Sequence, residues 1–413
     1  MRDAIMLVPA AGVAIHAFTL ACQRALRSRT APPSPTSRPG VSVLKPLKGV
    51  DPSLESNLHT FFDQDYDGPY EVLFGTADNR DPALDVARRV STAHPSTPSG
   101  VHADARTTGF NPKVDTLANL ARRARFPVIL VSDSNVAVPR THLREMVATL
   151  HRPGVGLVSA PVLGVPGGGI GSALESLQLN AYVMGGVAAM ERVGRPCVVG
   201  KSMMIRASDL AGMGGFPFLG RFLAEDQVCG EETARRGKTA AVAGTPVRNM
   251  LGSFGLPGFA ARHLRWARIR SRMSPLGYAG EILLHPVFLA AVTALVLRTP
   301  TSLAALGAVA AARVLLDFAA ERVAGHRRPL LHYLALAPLR DLLGGLLWPI
   351  AFLGNRVAWR GRSFRIGRRT RIVVDAAAGV RHPLSAVSDS LSPETSFRGQ
   401  RVSDTGVPLP ASG

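Results

Sequence analysis

Residues 128–138 read Val-Ile-Leu-Val-Ser-Asp-Ser-Asn-Val-Ala-Val and constrain the fold more than any other stretch. The apolar run at the start suits a strand buried on both faces of a parallel sheet. Ser132, Asp133, Ser134 and Asn135 then mark the end of that strand. In open α/β sheets, ligands bind just beyond the carboxyl ends of the strands. A carboxylate there can share a divalent cation with a diphosphate, because hard cations take oxygen ligands. The competing use of such an Asp is a helix cap or a turn, and the tetrapeptide alone does not choose between them.

The surrounding chain supplies a pattern. Strands are expected at 41–44, 71–76, 128–132 and 155–160, and helices at 51–65, 81–90, 113–124, 139–150 and 169–193. Pro52 and Pro82 fall in first helical turns, where a missing N–H costs nothing. Alternation from residue 41 to about 247 predicts an α/β fold, a mostly parallel sheet with helices on both faces. No Gly-x-Gly-x-x-Gly opens a helix and no Walker loop occurs, so neither a dinucleotide fold nor a P-loop enzyme is supported.

The ends of the chain have a different character. Hydrophobic residues make up 46% of the 413, which points to membrane segments. Residues 4–22 are apolar except for His16 and Thr19, and Arg24, Arg27 and Arg29 follow. Nineteen such residues can just span a bilayer. Basic residues after the apolar core, not before it, suggest an uncleaved anchor over 1–26 with the following chain cytoplasmic, at the inner membrane of the cell. Residues 27–40, rich in proline and serine, are expected to form a stiff linker. They lead to a cytoplasmic catalytic domain over 41–275 and a transmembrane and interfacial region over 276–354. Two spans are expected there, at 282–297 and 301–320.

The stretch 330–354 carries Pro338, Arg340 and Asp341, poor components for a span. It is expected to be a re-entrant or interfacial pair broken near Pro338. The alternative is a third span with Arg340 and Asp341 paired inside the bundle and the basic tail outside. The basic segment 355–379 is expected on the anionic leaflet, and 380–413 as a disordered tail. A net charge of +19 calls for a polyanionic partner. At 6% aromatic residues, with no interleaving of aromatic and basic residues, that partner is not nucleic acid. Cys22, Cys197 and Cys229 have neither zinc nor disulfide spacing.

Four pieces carry chemistry in order: Asp78 after the second strand, Asp133 after the central one, Glu225 and Asp226 in Arg-Phe-Leu-Ala-Glu-Asp-Gln, and Arg-His-Leu-Arg-Trp at 262–266. Together with Lys-Pro-Leu-Lys-Gly at 45–49, Gly-Phe-Asn-Pro-Lys at 109–113, Val-Gly-Lys-Ser-Met-Met at 199–204 and Trp-Arg-Gly-Arg at 359–362, this set resembles the ceramide glucosyltransferase family. These are inverting membrane glycosyltransferases of the GT-A type, with bacterial relatives acting on hopanoids.

The resemblance implies a hexose, glucose or N-acetylglucosamine, moved from a UDP-sugar to the hydroxyl of a membrane lipid. It assigns Asp78 to the donor's uracil or ribose, Lys113 to its phosphates and Asp133 to a divalent cation, Mg2+ or Mn2+. Asn135 takes the third position of a degenerate Asp-x-Asp. Asp226 corresponds to the general base, with Glu225 as its competitor, since adjacent helical side chains point about 100° apart. Arg262, Arg265 and Trp266 form the family's acceptor and diphosphate box. If that box is helical, Trp266, Ile269 and Met273 share a face suited to the membrane interface. The remaining readings are a processive polysaccharide synthase, for which the expected helices are few, and a non-catalytic protein binding lipid or nucleotide.

Overall fold

The computed structural model describes residues 2–29, 38–359 and 362–373. The expected linker falls mostly, and the expected tail over 380–413 wholly, outside the described residues.

The apolar runs do become the middle of a sheet. Its seven strands lie in the order Ser99–Ala103, Tyr70–Thr76, Val41–Pro46, Val128–Ser132, Ser202–Arg206, Val155–Ser159, Thr239–Val242. Every pairing is parallel except the two made by Ser202–Arg206. Side chains alternate between two cores, as a two-fold pleat requires. Val41, Val43, Val72, Phe74, Val128 and Leu130 face one cluster, closed by the helices Ala83–Ala93 and His142–Leu150. Leu44, Leu73, Ile129 and Val131 face the other, closed by Pro112–Ala121 and Glu225–Arg235.

Several expectations change. The helix over 51–65 shortens to Leu54–His59, with turns on either side. The long helix over 169–193 is interrupted by a π-helical turn, Gln178–Val183. The expected span 282–297 breaks at Pro286, leaving Pro275–Leu284 and Pro286–Leu297 bent by 71°. Conversely, Leu331–Ile350 runs unbroken through Pro338. Among the described residues, Pro300–Ala324 and Leu331–Leu353 are each long and apolar enough to cross a membrane. They pack with Pro286–Leu297 and the N-terminal helix Arg2–Arg27.

The charged residues Arg340 and Asp341 are ion-paired inside this bundle, not at a break. Arg340 Nη2 lies 2.9 Å from Asp317 Oδ2, and Arg313 bridges Asp317 at 2.5 Å and Asp341 at 3.3 Å. The pairing matches that part of the alternative above, with Arg340 and Asp341 each paired to a residue of Pro300–Ala324. Buried ionic groups survive in an apolar bundle only when each finds a partner.

The box is helical, within Leu256–Met273. Trp266 packs on the first sheet core, Ile269 on a C-terminal cluster and Met273 on the second sheet core. Each of those three side chains is half-buried against protein. Arg27 donates to the Gly244 carbonyl at 2.8 Å and Arg29 pairs with Glu191 at 2.7 Å.

Candidate active site

The register aligns the carboxyl ends of the central strands. Pro46 lies opposite Gly75, and Leu44 opposite Val131. Asp78 and Asp133 therefore leave the same edge two strands apart, a separation of about 10 Å. Asp78 is exposed and its Oδ1 accepts from the Arg80 backbone N–H at 2.9 Å. It lines an open recess with Asn79 and Asp104 between two strand ends.

Asp133 sits in a knot of opposite charges. Lys113 Nζ lies 2.9 Å from Asp133 Oδ1 and 3.0 Å from Glu225 Oε1. Lys201 Nζ lies 3.0 Å from Asp133 Oδ2 and donates to Asn135 Oδ1 at 3.0 Å. Burial alone would raise the Asp133 carboxyl, but the two ammonium groups outweigh it and hold it well below the usual range. Burial would lower Lys113, yet Asp133, Glu225 and Asp226 hold it fully charged.

Local structure explains how Lys113 reaches this point. Asn111 caps its helix by accepting from the Lys113 backbone N–H at 3.1 Å, and Pro112 fills the first turn. The Asn111 amide also donates to Glu225 Oε2 at 3.2 Å, tying two helix N-termini together.

Glu225 and Asp226 open the helix Glu225–Arg235, the end at which negative charge is favoured. They diverge as adjacent helical residues must. Glu225 is buried against Lys113, and burial raises its carboxyl above the usual range with Lys113 opposing. Asp226 is half-buried, with Oδ2 accepting from the Gly200 N–H at 2.7 Å. A Cβ at Gly200 would stand 2.8 Å from Asp226 Cβ, so only glycine lets that contact form.

The box is tied elsewhere. Arg262 Nη1 lies 3.3 Å, and His263 Nε2 2.6 Å, from the buried Glu175 carboxylate. Arg265 and Trp266 lie half-buried one turn on. A small cavity lined by Tyr182, His263, Arg270, Tyr278, Glu281 and Trp348 separates this helix from Leu331–Ile350.

Two lysines of the cluster carried no role in the sequence reading. Lys201 is one. Lys45 is the other: fully buried, its Nζ 2.6 Å from the Asp133 carbonyl and over the Phe61 ring. Burial lowers it from 10.5 to about 7. The available signal was a lysine inside an otherwise apolar strand.

Among the described residues no group of three or more His, Cys, Asp or Glu forms a cage for a metal ion. The donors present are the Asp133 carboxylate and the Asn135 amide. Both Asp133 oxygens are paired with Lys113 and Lys201, and Asn135 Oδ1 accepts from Lys201, so an ion shared with a donor's phosphates, as is usual for Mg2+, would have to displace these ammonium groups.

The sequence model of glycosyl transferase family 21 matches residues 4–372. Ceramide glucosyltransferase 3 of Caenorhabditis elegans is 30% identical over 246 residues, covering 58% of this chain and 52% of the relative. The ceramide glucosyltransferase of Komagataella phaffii is 27% identical over 329 residues, 63% of this chain and 62% of the relative. The chain thus spans about half the length of the C. elegans relative. A mannosyltransferase of Pyrobaculum calidifontis, solved in complex with GDP-Man and Mn2+, shares the fold with a TM-score of 0.51. It is 22% identical, covering 86% of this chain and 99% of that one. The family match runs from the N-terminal helix through the sheet and its strand-end acids to the last described strand, and the chain belongs to glycosyl transferase family 21.

Proposed function

We propose that the chain moves a hexose, glucose or N-acetylglucosamine, from a UDP-sugar to the hydroxyl of a membrane lipid of ceramide or hopanoid type, with inversion. The observation that carries this reading is the cluster at the carboxyl edge. Lys113 is held between Asp133 and Glu225, and the half-exposed carboxylate of Asp226 lies alongside. Among these options the named relatives support glucose and ceramide.

In this reading the donor's nucleoside lies in the recess beside Asp78, and its diphosphate meets Lys113 and Lys201. Fixed positive groups near a departing diphosphate stabilise the charge that develops there. A divalent cation at Asp133 would supply further neutralisation of that charge. Asp226 takes the proton of the acceptor hydroxyl while its oxygen forms a bond to the anomeric carbon. The bond from that carbon to the diphosphate oxygen breaks, and UDP leaves with the electron pair. Asp226 suits this role better than Glu225, whose carboxylate is buried against Lys113. Its two backbone bonds, from Gly200 and Gln227, fix its aim.

The acceptor would approach from the bilayer along the box helix, where Arg262, Arg265 and Trp266 lie between the sheet and the spans. The catalytic sheet then faces the cytoplasm. Membranes carrying the protein, incubated with radiolabelled UDP-glucose or UDP-N-acetylglucosamine, test the reading. Label in an organic-extractable lipid supports it; label in a polymer or nowhere removes it.

A further inference from the structure

The arginine-rich segment after Leu331–Leu353 turns its apolar side chains inward and leaves Arg356, Arg362, Arg365, Arg368 and Arg371 exposed. Arg356–Trp359, Arg362–Ile366 and Ile372–Val373 form a small antiparallel sheet. Its inward side chains Val357, Phe364, Ile366 and Ile372 cluster with Leu223. Leu223 belongs to the loop that feeds the helix carrying Glu225 and Asp226.

The backbone of that loop is bonded to this segment residue by residue. The Leu223 N–H donates to the Thr370 carbonyl at 3.0 Å, and the Ala224 N–H donates to Thr370 Oγ1 at 3.1 Å. The Ile372 N–H donates to the Arg221 carbonyl at 2.8 Å, and Phe222 bridges Arg371. On the next turn of the acid-bearing helix, Arg369 Nη2 lies 2.9 Å from Glu231 and 3.0 Å from Glu232.

Thr370 is fully buried, and both it and Arg369 adopt left-handed backbone, with φ of 58° and 53°. A β-branched residue rarely does so. Such a conformation persists only where its surroundings over-determine it, and that happens most often beside functional groups.

We infer that residues 368–372 are a strap that fixes the loop ahead of Glu225 and Asp226, with Thr370 as a positioning residue for the base. The inference rests on the reading of Asp226 as that base. The strap acts through two bonds to consecutive N–H groups, at Leu223 and Ala224, which leave the loop little freedom one and two residues before the acids begin. Lost alignment of a reacting group can cost about 10²-fold in rate.

The test uses the full chain in membranes or detergent, with Thr370→Val, Thr370→Ser and Asp226→Asn. Valine keeps the β-branch and removes the hydroxyl; serine restores it. The strap predicts faster backbone hydrogen exchange at residues 221–226 in Thr370→Val and near-normal exchange in Thr370→Ser. It also predicts that kcat falls about tenfold or more in Thr370→Val while the KM for the UDP-sugar holds, with recovery in Thr370→Ser. Unchanged exchange, unchanged kcat, or loss of donor binding together with kcat would each overturn it. If Asp226→Asn keeps full turnover, the assignment of the base fails; if it is inactive while Thr370→Val turns over normally, only the strap fails.

Discussion

At the carboxyl edge of the sheet, the side chains of Lys113, Asp133 and Lys201 stay 15%, 21% and 24% exposed; between the helices, those of Arg313, Asp317 and Arg340 stay 2%, 0% and 3% exposed. Both are clusters of opposite charges inside the protein. The first keeps part of its surface open to solvent, so in the proposed reading an incoming diphosphate would replace a carboxylate as a lysine's partner. The second is sealed, so each charge has only its present neighbours. Removing one member of a sealed pair leaves a stranded charge, whereas removing one member of an open cluster leaves water and ligand to compensate. The difference separates chemistry from architecture, and it can be broken experimentally.

The largest effect is expected at the open cluster. Asp133→Ala should lower turnover by on the order of 10²-fold or more, the scale of losing one electrostatic stabiliser. Chelation by EDTA should abolish turnover, with Mg2+ or Mn2+ restoring it. Thermal unfolding should shift little in the same variant. Full activity after exhaustive chelation removes the metal from the account. A large thermal shift without an activity change would make Asp133 architectural and erase the distinction.

The sealed cluster should respond the other way. Asp317→Asn leaves Arg313 and Arg340 short of their shared carboxylate, and breaking such a pair costs about 3–5 kcal/mol. The expected result is a clear drop in thermal midpoint in detergent, with turnover per folded molecule preserved. A stable variant with lost turnover would move this quartet into the mechanism.

A smaller effect concerns pH. Lys45 is lowered by burial from 10.5 to about 7, so across that window the unfolded chain holds a proton that the folded one has released. Stability should then rise with pH from about 7 upward through this window, and level off below about 7, where both states hold the proton. Lys45→Met should flatten that slope. A slope identical in both proteins would show that Lys45 is not the group responsible.

How much of this was legible follows from which forces shaped each region. Strands buried on both faces must be apolar, so 41–46, 70–76 and 128–132 could be found with their terminal acids Asp78 and Asp133. The edge strand Ser99–Ala103 carries no such demand, because none of its residues is buried. The C-terminal sheet hid behind its arginines: Val357, Phe364 and Ile366 point inward, but charge dominated the reading. Pro338 marked a break that does not occur, since a helix packed among others can carry a proline whose freed carbonyl finds another partner. Lys45 was invisible as a functional neighbour because its partner is a backbone carbonyl 88 residues away. The preference for Asp226 over Glu225 came from the family resemblance, whereas which carboxylate turns toward Lys113 is decided by packing that the sequence does not display.

That choice is also the most direct test of the account. Transfer of label from a UDP-sugar to lipid should be measured side by side in the native protein, Asp226→Asn and Glu225→Gln. The account predicts a loss of about 10²- to 10⁴-fold in Asp226→Asn, with donor binding largely retained and a smaller loss in Glu225→Gln. Near-normal transfer by Asp226→Asn beside an inactive Glu225→Gln would contradict it.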